Sequence, residues 1–271
     1  MTTPPVTALE CRDIRVLAGD KAILDGISFS LRAGESLMVI GPNGSGKTTL
    51  LHALLGLVPV ASGEILWDHR PLRSLSRLDI ARTAAYMPQL PECPPGFTVF
   101  EYVLTARYAR RQSWRGYTSG DRDIVDVALA LTGMSGFSRR PVVSLSGGEL
   151  QKILLAAAVA QETPFLLLDE PAAFLDYHHQ VEIMALVEHL RRERNLSVIM
   201  VTHDLNIPFL AGARLLALKQ GRTLYYGTVT ELPRQRPMLE SLYDTPFQVI
   251  TTDDAKWFIH PVFSTRGEEK T

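Results

Sequence analysis

Residues Gly41-Pro42-Asn43-Gly44-Ser45-Gly46-Lys47-Thr48 constrain the fold more than any other stretch of this chain, because they match GxxxxGK[ST] directly after the apolar run Ser36–Ile40. Each residue type has a physical reason to be there. Glycines admit positive φ, which lets successive backbone N–H groups turn inward as a nest for an anion. A helix starting at Lys47 adds about half a positive charge at its N-terminus. Lys47 can reach the β- and γ-phosphates of a nucleoside triphosphate, and the Thr48 hydroxyl can ligate Mg²⁺. Thr49 follows in the same first turn and completes the candidate binding set. The loop works only between a buried strand and a helix, so the chain must be built around an α/β unit.

The remaining pattern fits such a unit. Leu9–Val16 and Ile27–Leu31 alternate apolar with polar residues, as antiparallel strands do. Ile65–Trp67 and Ala84–Met87 read as further strands. Phe165–Leu168 and Ser197–Val201 are continuous apolar runs, as in parallel strands covered on both faces. Tyr177–Arg194 has helical periodicity. From about 90 to 161 the pattern is mostly helical, with Gly and Pro punctuation. After Gly227 it turns irregular, and residues 268–271 read as a solvated end. The expected layout is a single domain: a core of about 6–89 and 162–230, a helical subdomain of about 90–161, and a C-terminal extension of about 231–271.

Charge and composition narrow the function. A formal net charge of −1 leaves no electrostatic footprint for nucleic acid. The basic cluster Arg107–Arg115, interrupted by Trp114, reads instead as a solvated helix face. Cys11 and Cys93 stand far apart without a CxxC, so neither a disulfide framework nor a zinc site is expected, and a reducing cytoplasm fits. No basic-then-apolar leader is visible. The longest apolar stretches, such as Ile153–Ala160, fall short of the roughly 20 residues that cross a bilayer. A membrane role is therefore expected to come through a partner.

Two further stretches carry chemistry. Phe165-Leu-Leu-Leu-Asp169-Glu170-Pro171 puts adjacent carboxylates where a buried strand emerges, the edge at which open α/β sheets bind ligands. Asp169 can hold Mg²⁺ through water, and Glu170 can serve as general base toward an attacking water. Leu145-Ser146-Gly147-Gly148-Glu149 precedes the helical run Leu150–Ala160. Ser146 and Glu149 have capping-box spacing, and a capped helix start with two glycines is also a phosphate-binding surface.

Leu145–Glu149 resembles the LSGGQ signature of ABC ATPases, with Glu149 in place of the usual Gln, and it lies between the phosphate loop and the acidic strand as in that family. Gln89 resembles the family's Q-loop glutamine, Phe174-Leu175-Asp176 its D-loop, and His203 its switch histidine. The resemblance spans about Leu9 to Gly227. It implies an α/β phosphate-loop NTPase fold of ABC type: a mixed sheet core, an antiparallel β edge and an inserted helical subdomain. It also implies two copies of the chain, head to tail, with two ATP molecules sandwiched between them. Ser146, Gly147 and Gly148 of one copy would then grip the γ-phosphate held by the other copy's Lys47, with Glu149 closing the signature. His203 would contact that phosphate from the same chain as Lys47. Gln89 would sense Mg²⁺ or the attacking water, and Asp176 would couple the two sites. Where the family stacks adenine on an aromatic ring, Ile14–Gly19 offers only Leu17 or Ala18.

Softer likenesses point toward import. Leu175–Gln180, Ala158–Pro164, Tyr243–Val249 and Trp257–Pro261 resemble ATPases serving iron–siderophore, haem and cobalamin uptake. His178 and His179 read as a solvent-facing helix start, since an isolated pair lacks metal-ligand spacing. The implied partners are integral membrane permease subunits and, indirectly, a substrate-binding protein, at the cytoplasmic face of the inner membrane. Phe97–Val103 is expected to line the permease groove, being more apolar than an exposed helix needs. Another ABC importer, for zinc, manganese or another small solute, is the alternative. A soluble ABC protein is a weaker one, because no coiled-coil insertion or second ATPase domain is present.

Overall fold

The computed structural model describes residues 8–89, 95–111, 116–206, 213–251 and 257–262. The chain opens with two long antiparallel strands, β1 (Ala8–Ala18) and β2 (Lys21–Arg32), followed by the short β3 (Ser36–Ile40) and α1 (Lys47–Leu54). Next come β4 (Ser62–Trp67), β5 (Arg70–Pro71), α2 (Arg77–Thr83) and β6 (Ala84–Met87). A helical stretch holds α3 (Val99–Thr105), α4 (Ser119–Leu131) and α5 (Gly147–Ala160). The chain then returns to β7 (Phe165–Asp169), α6 (Tyr177–Arg194), β8 (Ser197–Val201), β9 (Arg214–Lys219) and β10 (Arg222–Thr228).

Six strands form the central sheet in the order β10-β9-β3-β8-β7-β6, all parallel except the edge strand β10. A second sheet, β2-β1-β4-β5, is antiparallel. The continuous apolar runs follow from this layering. Along β3, Met38 and Ile40 join the core shared with the helical stretch, whereas Leu37 and Val39 join the core under the antiparallel sheet. Leu166 and Leu168 on β7, and Val198 and Met200 on β8, divide from their neighbours in the same way. With both faces covered, period-2 alternation places apolar atoms on both sides.

Two expectations change. The chain beyond Gly227 is ordered rather than irregular: it forms α7 (Arg236–Tyr243) and a hairpin of β11 (Phe247–Thr251) and β12 (Trp257–Pro261). Each element is short, so its periodicity is weak, but Leu239, Leu242, Phe247 and Ile259 are buried in the main core. Arg107 is not on a solvated face. It is buried and pairs with Asp121 at 3.1 Å and Glu162 at 2.8 Å, while donating to the Ala160 carbonyl. Removing a partner from such a pair strands a buried charge, which is why a guanidinium with five donors is used there. Gln112–Arg115, including Trp114, lies outside the described residues, as does Cys93. The apolar side chains of Phe97–Val103 divide between core and surface. Val99 and Val103 are fully buried, and Phe97, Phe100 and Tyr102 rest partly buried on the same core.

Candidate nucleotide site

Parallel register brings four strand ends to one edge of the sheet. β3 runs into the phosphate loop, β7 ends at Asp169, β8 ends just before Thr202 and His203, and β6 leads to Gln89. The Thr202 amide donates to Val39 carbonyl at 3.1 Å and the Glu170 amide to Val201 carbonyl at 3.0 Å, so these ends are tied together laterally.

The loop needs its glycines at two places above all. Gly41 has φ 151°, and a Cβ there would lie 2.2 Å from the Leu218 carbonyl oxygen. Gly46 has φ 102°, and its Cβ would meet Leu24 Cδ2 at 2.6 Å. A side chain would press on backbone at Gly41 and on the Leu24 side chain at Gly46, and both positions hold a φ that L-residues rarely adopt. Ser45 Oγ is buried without a hydrogen-bond partner beside Gly41. Lys47 is buried, and its Nζ donates to the Gly41 and Pro42 carbonyls at 2.8 and 3.1 Å. Burial pulls its pKa below the ordinary lysine value, opposed by the negative charges of Glu170 and Asp169. Thr48 is exposed and Thr49 half-buried.

The carboxylates differ in environment. Asp169 is buried, and desolvation pushes its pKa upward against a stabilising hydrogen bond from Thr48; the neighbouring Glu170 charge pushes the same way as burial. Tyr86 Oη also donates to Asp169 Oδ2 at 3.4 Å and lies 3.2 Å from His52 Nε2. Burial and the Asp169 charge raise the Tyr86 phenol, so it stays a donor. Glu170 has φ 48°, a left-handed turn that breaks the strand and lifts its side chain from the sheet edge. Its Oε2 accepts from Gln89 Nε2 at 2.7 Å and lies 3.4 Å from His203 Nδ1. Gln89, Glu170 and His203 are therefore in contact, beside Asp169, Thr48 and Lys47.

An ionised carboxylate buried next to a second one costs stability, which the hydrogen bonds from Thr48 and Tyr86 offset only in part. Asp169→Asn is expected to raise the melting temperature in nucleotide-free, magnesium-free buffer by a few degrees, about 1 kcal/mol, while hydrolysis is lost. Thermal unfolding of the two proteins side by side checks this; a lower melting temperature in the variant contradicts it.

The glycine-serine element sits elsewhere. Ser146 caps α5, with reciprocal bonds to Glu149: its backbone N–H and hydroxyl reach Glu149 Oε2 at 2.7 and 2.9 Å, and the Glu149 amide returns at 3.4 Å. These bonds hold the Glu149 carboxyl below its usual range. Ser146 and Gly147 are exposed and Gly148 is buried. The neighbours of this element are Arg140, Leu175 and His179 of the same chain, not the phosphate loop. A Cβ on Gly148 would lie 2.7 Å from His179 Cδ2. His179 in turn gives its backbone amide and Nδ1 to Asp176 Oδ1 at 2.9 and 2.8 Å, so Asp176 caps α6 and is linked through His179 to the glycines. His179 is thus a packing residue, whereas His178 faces solvent as expected. Phe174 and Tyr177 beside Asp176 are 80% and 88% exposed.

Sequence reasoning missed Tyr86, Asn206 and Tyr243. Tyr86 carries a detectable signal, a phenol in an otherwise apolar strand three residues before Gln89. Asn206 carries none, because its contact is long-range, and Tyr243 opens a stretch legible only as a family likeness, with no sign of its place beside Gly41. Leu17 is 40% exposed on β1, next to no aromatic of its own strand.

A glycine-rich nest with a buried lysine, a buried aspartate and a glutamate–glutamine–histidine contact define a phosphate-loop nucleoside triphosphatase. The chain belongs to the ABC transporter family, whose model matches residues 24–173, and it is an ABC-type ATPase. It is 33% identical over 246 residues to the iron(3+)-hydroxamate import ATP-binding protein FhuC of Bacillus subtilis, covering 91% of each chain. It is 38% identical over 238 residues to the hemin import ATP-binding protein HmuV of Streptomyces coelicolor, covering 87% of this chain and 83% of that one. Among solved structures, an inward-facing ABC transporter assigned to the metal-chelate type superposes with a TM-score of 0.82 at 26% identity, over 96% of this chain and 98% of the other. The dimeric ATP-binding cassette MJ0796, bound to ADP and Pi after hydrolysis, superposes with a TM-score of 0.72 at 25% identity, over 82% and 98%. Among the described residues, no helix is long and apolar enough to cross a membrane.

Proposed function

We propose that this ATPase powers import of a metal chelate (iron–siderophore, haem or cobalamin) as a head-to-tail dimer docked on a separate membrane permease. The carrying observation is the fit to the metal-chelate type transporter over 96% of the chain, against 82% for the free cassette. Relatives named for iron-hydroxamate, petrobactin and hemin import support the same cargo class. A zinc, manganese or other small-solute importer is the alternative cargo. The chain works as a peripheral subunit on the cytoplasmic face of the inner membrane, fed indirectly by a substrate-binding protein. Its working units are the core of about 6–89 and 162–230, the helical subdomain of about 90–161 and the extension of about 231–271.

Within that reading, Gly41–Thr49 cradle the triphosphate, and Lys47 neutralises charge on its β- and γ-phosphates. Glu170 accepts a proton from the attacking water, oriented by the Gln89 amide, while His203 contacts the γ-phosphate. Ser146, Gly147 and Gly148 of the second copy close the pocket, with Glu149 holding their helix start and Asp176 linking the two sites. The donor set fits Mg²⁺: Thr48, Gln89 and Asp169 offer hard oxygens, and one carboxylate plus substrate phosphates is what this ion commonly takes. Among the described residues no three acidic, His or Cys side chains gather as a protein-only metal site. When bound, Mg²⁺ offsets negative charge developing on the phosphates.

The cargo is tested by reconstituting the complex in proteoliposomes. ATP turnover should rise when the binding protein carries a ferric siderophore, haem or cobalamin. Stimulation by Zn²⁺ or Mn²⁺ alone would move the assignment to the alternative class.

A further inference from the structure

The switch histidine stands on a short segment anchored at both ends. On one side the Thr202 amide is tied to β3 and its hydroxyl accepts from the Asp204 amide at 3.0 Å. Asp204 Oδ1 accepts from the Asn206 amide at 2.8 Å, and Leu205 is buried in the main core. On the other side, Asn206 grips the C-terminal hairpin as a second strand would. Its Nδ2 donates to the Ile259 carbonyl at 2.9 Å, and its Oδ1 accepts from the Ile259 amide at 2.7 Å. Ile259 is 2% exposed and pairs across the hairpin with Val249. One amide side chain therefore satisfies both backbone groups of a buried residue more than fifty positions away, three residues after His203.

The same extension reaches the nucleotide edge a second time. Tyr243, at the end of α7, has a buried hydroxyl beside the Gly41 amide, on the side of the Glu170 carboxylate. Burial raises this phenol to about 12. Lys219 of β9 holds the end of α7 through Asp244 at 2.7 Å. Asp176, His203, Asn206, Tyr243 and Phe258 line one common cleft.

We propose that Asn206 is a positioning residue for the ATPase reaction: by clasping β12, it lets the C-terminal hairpin set where His203 meets the γ-phosphate. Small misplacements of a contacting group are enough to slow phosphoryl transfer strongly. This rests on the role assigned to His203 above, and the experiment separates the two. In the full chain, Asn206→Ala should lower kcat for ATP hydrolysis about tenfold, because His203 loses its register. The KM for ATP should stay within about twofold, because Lys47 and the loop are untouched. The Ile259 amide should exchange with solvent about tenfold faster, a direct reading of the clasp. Added to His203→Ala, the Asn206 substitution should have no further effect on kcat.

If Asn206→Ala keeps wild-type kcat, or lowers it equally with and without His203, the proposal is overturned while the role of His203 stands. If His203→Ala alone keeps wild-type turnover, the site assignment fails, and this one with it. If Asn206→Ala does not fold, Asn206→Ser, shorter but still polar, takes its place in the same cycle and must show the same dependence on His203.

Discussion

Glu170→Gln will lower the turnover of ATP by about 10²- to 10⁴-fold, the range expected for loss of a positioned general base. The substitution keeps shape and leaves an amide oxygen that can still accept from Gln89 Nε2, now 2.7 Å from Glu170 Oε2. The backbone is held in place: Glu170 sits at φ 48° and its amide donates to the Val201 carbonyl. What disappears is the capacity to take a proton. Phosphate contacts from Lys47 and the loop remain, so the variant should bind ATP as well as wild type and accumulate as a nucleotide-bound dimer. Turnover assays, together with size-exclusion chromatography in ATP, measure both halves. Wild-type hydrolysis would remove Glu170 from this role.

The second large effect comes from mixing two inactive proteins. Lys47→Ala removes the charge over the phosphates. Gly147→Asp places a carboxylate where the second copy's γ-phosphate is expected. The change should be tolerated structurally, because an added Cβ meets only Leu175 Cδ2 at 3.8 Å and an acidic residue favours a helix N-terminus. Each variant alone should lose hydrolysis by about 10²-fold or more, the scale of losing one charge-stabilising contact. In a mixed dimer, one site combines Lys47 of the second variant with Gly147 of the first, and both are intact. ATP-dependent dimerisation, and with it hydrolysis at that site, should reappear in the mixture. If each site were completed within a single chain, mixing would restore nothing.

Much of the site was legible because its chemistry is local. Gly41 to Thr48 are contiguous, Asp169 and Glu170 are adjacent, and Ser146 and Glu149 cap their helix across three residues. Gln89 and His203 were legible only by their order along the chain. Their meeting on one carboxylate oxygen is a product of parallel strand register. The valines of Phe97–Val103 serve the core, and periodicity over seven residues does not distinguish a core face from a docking face. The expectations that changed share a cause. A run of arginines gives no sign of the Asp121 and Glu162 carboxylates that pair with Arg107 in the fold. The hairpin β11–β12 was unreadable because its strands are short and its support comes from Asn206 and the main core.

The sequence alone determined the class of chemistry: a glycine nest, a lysine and paired carboxylates at these spacings have one economical use, and backbone stereochemistry dictates it locally. Tertiary structure decided how the parts act on each other. Long-range pairing placed Gln89 and His203 on Glu170, laid His179 over Gly148, and drew the C-terminal hairpin onto the segment that carries His203. Such contacts depend on strand order and side-chain packing between residues distant in the chain, which no local pattern encodes.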